Sequence, residues 1–176
     1  MDRLKGKTAI ISGGATGMGA AAARLFAAEG ATVGVIDRNV AAGEALVAEL
    51  KAAGHKAQFA KADVSSKAEV EAAVASVTKA LGPVNVLFNH AGTIVIKPFL
   101  ETEESDWDFL FDVNVKSMYL MTRAVLPGMI SRGHGAIVNV SSMWGEVGAS
   151  CEAAYSAAKA GVIGLMKSAA KEFASR

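Results

Sequence analysis

Ser12-Gly13-Gly14-Ala15-Thr16-Gly17-Met18-Gly19 is a glycine-rich turn between an apolar, β-branched run at residues 8–11 and an Ala-rich stretch that follows it. Such a turn joins a buried strand to a helix. Its glycines let the backbone bend sharply and approach a bulky anion, while the helix start offers free N–H groups and the positive end of its dipole. The spacing is G-x-x-x-G-x-G, and residues 17–22 also satisfy the G-x-G-x-x-A variant. Taken alone, the match fits a flexible turn as well as a pyrophosphate cradle. The strand before it, the helix after it and an acid ending the next strand favour a dinucleotide.

That acid is Asp37, 18 residues beyond Gly19. A carboxylate there accepts hydrogen bonds from the adenosine ribose hydroxyls and repels a 2′-phosphate. Arg38 beside it would instead welcome NADP, and the pair also reads as a helix-start acid followed by a surface Arg. The glycine loop itself carries no basic residue, which favours NAD over NADP.

Outward from the loop, short apolar strands alternate with longer helical patterns. Strands are expected at residues 8–12, 31–37, 57–62, 84–88 and 136–140, each apolar without strict alternation, as in a parallel sheet covered on both faces. Helices are expected at 19–29, from an Asn39 cap to Ala53 before Gly54, and from a Ser66/Glu69 capping box to about Leu81. A long helix should run over 106–130, with Pro127 kinking or ending it, and another from Glu152 to the C-terminus. The chain therefore reads as an α/β protein, a three-layer doubly wound parallel sheet (Rossmann fold) forming one domain over residues 1–176. No internal repeat or linker composition divides it. Ligands of such sheets sit outside the carboxyl ends of the strands, where every motif noted here falls.

Composition excludes several function classes. With 18 basic and 17 acidic residues dispersed along the chain, there is no electrostatic footprint for a nucleic acid or an anionic membrane. No stretch approaches the roughly 20 apolar residues of a membrane span. The charged opening residues 1–7 resemble the start of a signal peptide, but the apolar run after them is halted at Ser12-Gly13-Gly14. The single cysteine, Cys151, forms no internal disulfide and is compatible with a reducing cytoplasm, the expected location.

The chemistry-bearing residues come last in the chain. Tyr155 and Lys159, four apart on a helical pattern, project from one face, and Ser142 stands 13 residues before Tyr155 at the end of the fifth strand. Hydride transfer between a nicotinamide and a carbonyl needs a proton given to or taken from the oxygen. A tyrosine titrates near 10 and needs a neighbouring cation for that work, which Lys159 supplies. Ser142 then holds the substrate oxygen. Any one of these residues alone also reads as an ordinary surface group.

With Asp63-Val64, Asn89-His90-Ala91-Gly92 and Asn114 added to these segments, the chain from Leu4 to Arg176 resembles the short-chain dehydrogenase/reductase family. The resemblance implies a Rossmann fold and NAD(P)-linked interconversion of a secondary alcohol and a ketone. It makes Tyr155 the general acid/base, and Lys159 both a ligand of the nicotinamide ribose and the group that lowers the Tyr155 pKa. Ser142 positions the substrate oxygen, and Asn114 helps hold a water in a proton relay. Ser12, Gly13, Gly17, Met18, Gly19, Asp37, Arg38, Asp63, Val64, Asn89, Ala91 and Gly92 form the cofactor site with Tyr155 and Lys159. Within it Asp63 and Val64 contact adenine, and Asn89 steadies the sheet. Ser12 stands where the family has Thr, and His90 where it has the second Asn of Asn-Asn-Ala-Gly. His90, His55 and His134 make no metal-ligand spacing, and no metal is expected.

Family members usually continue into a sixth strand, a lid, a further helix and a seventh strand, so the expectation is a C-terminally truncated sheet whose fifth strand is an unpaired apolar edge. The alternative function is a nucleotide-binding module or assembly subunit that lacks the lid and does not turn over. Loops 93–98 and 143–151 should line the substrate pocket with Ile94, Ile96, Met143, Trp144 and Glu146, suiting a medium-sized, partly apolar substrate. Trp107, Leu110, Phe111, Met118, Leu120 and Met121 give the long helix apolar surface for self-association, and the resemblance implies a homotetramer or homodimer, although much of this stripe also reads as core.

Overall fold

Five parallel strands form one sheet, in which the third strand of the chain pairs with the second, the second with the first, the first with the fourth and the fourth with the fifth. They are β1 (Thr8–Ser12), β2 (Thr32–Asp37), β3 (Ala57–Lys61), β4 (Val86–Asn89) and β5 (Ala136–Asn139) in a computed structural model describing residues 2–175. Each agrees with its expected strand to within two residues. Between them run α1 (Gly17–Ala28), α2 (Val40–Ala52) and α3 (Lys67–Leu81), then α4 (Glu104–Phe111) and α5 (Ser117–Arg132), and after β5 come α6 (Trp144–Val147) and α7 (Ala153–Phe173). Arg176, to which the last helix was expected to reach, lies outside the described residues.

Alternation along each strand sends successive side chains to opposite faces. Ala9, Ile11, Val33 and Val35 pack under Ala20, Ala23, Leu46 and Leu50 of α1 and α2. Ile10, Ile36, Ala60 and Leu87 pack under Val70, Val77, Met121 and Val125 of α3 and α5. The sheet is thus covered on both faces, so β1 is buried along its whole length. Chain order reverses between β1 and β4: the segments up to β3 build outward in one direction, those from β4 in the other. The two strand ends diverge there and leave a cleft.

Helix punctuation follows the sequence with two corrections. Asn39 accepts the Ala42 N–H at 3.1 Å, capping α2. Ser66 caps α3 by accepting from Glu69 N at 3.4 Å, but Glu69 does not complete the box; its carboxylate takes the Asp63 N–H at 3.0 Å instead. The expected helix over 106–130 starts earlier, at Glu104, and is broken by a π turn, Asp112–Lys116, rather than by Pro127. Pro127 lies on the exposed side of α5, and the buried Val125 and Met129 flanking it hold the helix in register until Gly133 ends it at φ 69°. The 3-10 turn Phe99–Glu101 and the short α6 were not foreseen.

Candidate active site

The cleft at the reversal point encloses about 380 Å³ and is lined by Gly13, Gly17, Met18, Asp37, Arg38, Asp63, Val64, Ala91 and Gly92, nine residues expected at a cofactor. Its remaining walls include Thr16 of the glycine loop itself and Phe109, Asp112 and Val113, the last three missed by sequence reasoning because their segment passes over the cleft only in three dimensions. Ser12, Gly19 and Asn89 are buried rather than on its walls. Ser12 Oγ accepts the His90 and Ala91 N–H groups at 3.2 and 3.3 Å, tying the glycine loop to the turn after β4. Asn89 donates to Asn139 Oδ1 at 2.9 Å, bridging β4 to β5. A Cβ on Gly19 would collide with the Gly13 carbonyl, so a side chain there would force the loop open.

Thr16 gives α1 no side-chain cap, leaving the N–H groups of its first turn for an anion. Gly17 sits at φ 53° with open space where a Cβ would be, a cradle that only glycine leaves clear. These features fit a dinucleotide pyrophosphate. Asp37 is already engaged: Oδ2 accepts from Ala15 N at 3.0 Å and Oδ1 from Asn39 N at 2.9 Å, so the carboxylate braces the glycine loop as well as facing the cleft. The Ser65 hydroxyl and N–H hold the Asp63 carboxyl below the usual carboxylate range, with a smaller contribution from the positive charges of Arg38 and Lys61. His90 turns its Nδ1 to the Gly13 carbonyl at 3.3 Å and stacks on Phe88.

The chemistry-bearing residues lie beyond the cleft walls. Lys159 is 3 % exposed, its ammonium donates to the Val140 carbonyl at 2.9 Å, and it lies 5.6 Å from the centre of the Tyr155 ring. Burial pushes its pKa below the ordinary lysine value. Ser142 Oγ accepts from Trp144 N at 3.2 Å at the start of α6. Asn114 is fully buried in the π turn. Its amide donates to the carbonyls of Thr93 and Leu110, both at 2.9 Å, and its Oδ1 accepts from Thr93 N at 3.1 Å. The Leu110 carbonyl lies one helical turn before Asn114, so the side chain folds back onto its own helix as well as reaching Thr93. Asn114 Oδ1 and Lys159 Nζ both face Gly92, where a Cβ would meet them at 2.9 and 3.4 Å.

The short chain dehydrogenase family matches residues 7–176 of this sequence. The chain belongs to that family. Among curated relatives, it is 42 % identical over 99 % of its length to Oxidoreductase UcpA of Salmonella typhimurium, covering 66 % of that protein. It is 40 % identical to cyclopentanol dehydrogenase of Comamonas testosteroni and 39 % identical to 2,5-dichloro-2,5-cyclohexadiene-1,4-diol dehydrogenase LinX of Sphingobium indicum, in each case over 99 % of this chain and 70 % of the relative. The chain therefore spans about two thirds of the length of the curated relatives it matches. No helix among the described residues is long and apolar enough to cross a membrane.

Proposed function

We propose that this short chain dehydrogenase interconverts a secondary alcohol and a ketone with NAD, Tyr155 acting as general acid/base. One observation carries the reading: a desolvated ammonium, Lys159, pinned by the Val140 carbonyl beside the Tyr155 ring. Burying a lysine is costly unless its charge is used, and a phenol that must give and take a proton is what uses it. In the oxidation direction Tyr155 Oη takes the hydroxyl proton as the carbinol hydrogen departs with its electron pair, and in reduction the proton returns. Ser142 Oγ donates a hydrogen bond to the substrate oxygen, and the Lys159 ammonium stabilises negative charge on the Tyr155 oxygen. Asn114 fixes the Thr93 main chain and, with Lys159, frames the place of a relay water.

When bound, the nicotinamide supplies the hydride acceptor or donor. Its pyrophosphate would rest on the N–H groups at the α1 start, its adenosine ribose on Asp37, its adenine beside Asp63 and Val64, and its nicotinamide ribose on Lys159. The Asp37 carboxylate disfavours a 2′-phosphate, so NAD is preferred over NADP. The names of two relatives and the apolar Ile94, Ile96 and Met143, all exposed on the flanking loops, suggest an uncharged cyclic alcohol. We further propose a cytoplasmic homodimer or homotetramer.

Nicotinamide absorbance with NAD and a panel of cyclic alcohols, cyclopentanol included, tests the reading. Turnover should fall at least about 100-fold in Tyr155→Phe, a loss in the range general acid/base groups contribute. If NADH binds and no alcohol gives Tyr155-dependent turnover, the protein is a nucleotide-binding module and the enzyme reading fails.

A further inference from the structure

We propose that the corner between β5 and α6 is the device that positions Lys159, with Ser141 as its positioning residue. Three successive residues leave the end of β5, and the first two grip the same lysine. The Val140 carbonyl accepts from the Lys159 ammonium at 2.9 Å, and Ser141 Oγ donates to the Lys159 backbone carbonyl at 2.8 Å. The third, Ser142, starts α6 by accepting from Trp144 N through its hydroxyl and from Gly145 N through its carbonyl, at 3.2 and 3.0 Å. Gly145 in turn lies against the Lys159–Ala160 peptide, where a Cβ would come within 2.7 Å of Lys159 C and 2.9 Å of Ala160 N.

A lysine side chain is a flexible four-carbon stem, and holding only its tip leaves the helix beneath it free to slide. Here the tip and the backbone root are held from one corner, so the Lys159 helix turn, which also carries Tyr155, is registered against Ser142. The Lys159 carbonyl serves the α7 ladder, so the Ser141 bond uses its second lone pair and adds position rather than completing the helix. Displacements of about 1 Å in such a constellation cost up to about 100-fold in rate, which is the scale on which this grip acts.

The inference rests on the catalytic reading above, and its test separates the two. Ser141→Ala, Ser141→Thr and Tyr155→Phe are compared by kcat, KM and the pH dependence of kcat with cyclopentanol and NAD. Lys159 is followed in parallel by carbon NMR of lysine labelled at Cε, without substrate. Ser141→Ala should lower kcat about 10- to 100-fold with KM changed less than about threefold. It should also displace the pH profile and move the Lys159 resonance, and Ser141→Thr, which keeps the hydroxyl, should restore all three. A Ser141→Ala protein with the parent kcat, pH profile and Lys159 resonance, alongside a silent Tyr155→Phe, overturns the positioning role and leaves the enzyme reading standing. A drop in activity that Thr does not rescue, with the Lys159 resonance unmoved, also overturns it. If Tyr155→Phe turns over normally, the enzyme reading falls, and the Lys159 resonance alone decides whether Ser141 positions the lysine.

Discussion

Lys159 illustrates how one residue's environment becomes a measurable property. Its folded pKa is lowered from 10.5 by burial, so between the folded pKa and 10.5 the unfolded chain binds more protons than the folded one. Stability must then rise with pH across that window, because the cost of burying an ammonium is fully present below the folded pKa and is relieved above it. Relative to Lys159→Met, which has no titrating group there, the parent should gain stability in urea melts taken from about pH 7 to about pH 10. A difference between the two proteins that stays constant with pH would show that the ammonium carries no burial cost. At this scale the sequence was legible in side chains and illegible in main chain. The Tyr155-x-x-x-Lys159 spacing announces a shared helical face, whereas the acceptors that place Lys159 and Asn114 are carbonyls of Val140, Thr93 and Leu110, groups every residue carries. Ser141 was overlooked for a related reason: beside Ser142 it reads as a second hydroxyl in a loop, and only the fold shows that it reaches 18 residues ahead to the Lys159 backbone. Asp37 was read for its charge, and its braces to Ala15 and Asn39 add a structural task to the same carboxylate.

Elements were legible where local chemistry alone determines them. Asn39 caps α2 through one exposed side-chain bond, so Asn39→Ala should cost about 1 kcal/mol, read as a lower urea midpoint at an unchanged m-value, and Asn39→Asp should restore it. A neutral alanine variant would mean that the helix start is held by packing instead. Ser66 was equally visible as a cap, but its expected reciprocal partner Glu69 turned to Asp63, since a capping box competes with any other free N–H in reach. The π turn at Asp112–Lys116 left no periodic trace, because one inserted residue merely shifts the phase of a stripe that continues on either side. It matters for the site, since it is what puts Asn114 against Thr93. Pro127 misled in the opposite direction: proline is a strong local signal, and here buried neighbours override it.

At the scale of the molecule, the alternation of apolar strands and helices implied a doubly wound sheet, and its two apolar faces account for residues such as Ile10 and Ile11 pointing to opposite cores. What sequence could not apportion is the apolar stripe of the long helix between core and surface. Leu110, Met118, Leu120 and Met121 proved to be core, while Trp107 stays half exposed. Apolar side chains also line a groove of about 450 Å³ between α5 and α7, among them Tyr119, Leu126, Ile130, Leu165, Met166 and Phe173. The proposed self-association would use it, each copy laying its α5 and α7 against those of a second copy. Carboxylates placed in the middle of such a contact would be desolvated without partners, at a cost of several kcal/mol per interface. Sedimentation velocity should therefore find the parent protein as a dimer or larger, and the Leu126→Asp, Leu165→Asp double variant as a monomer with unchanged far-ultraviolet circular dichroism. A monomeric parent, or a double variant that keeps the parent's mass, would rule this groove out as the contact between copies.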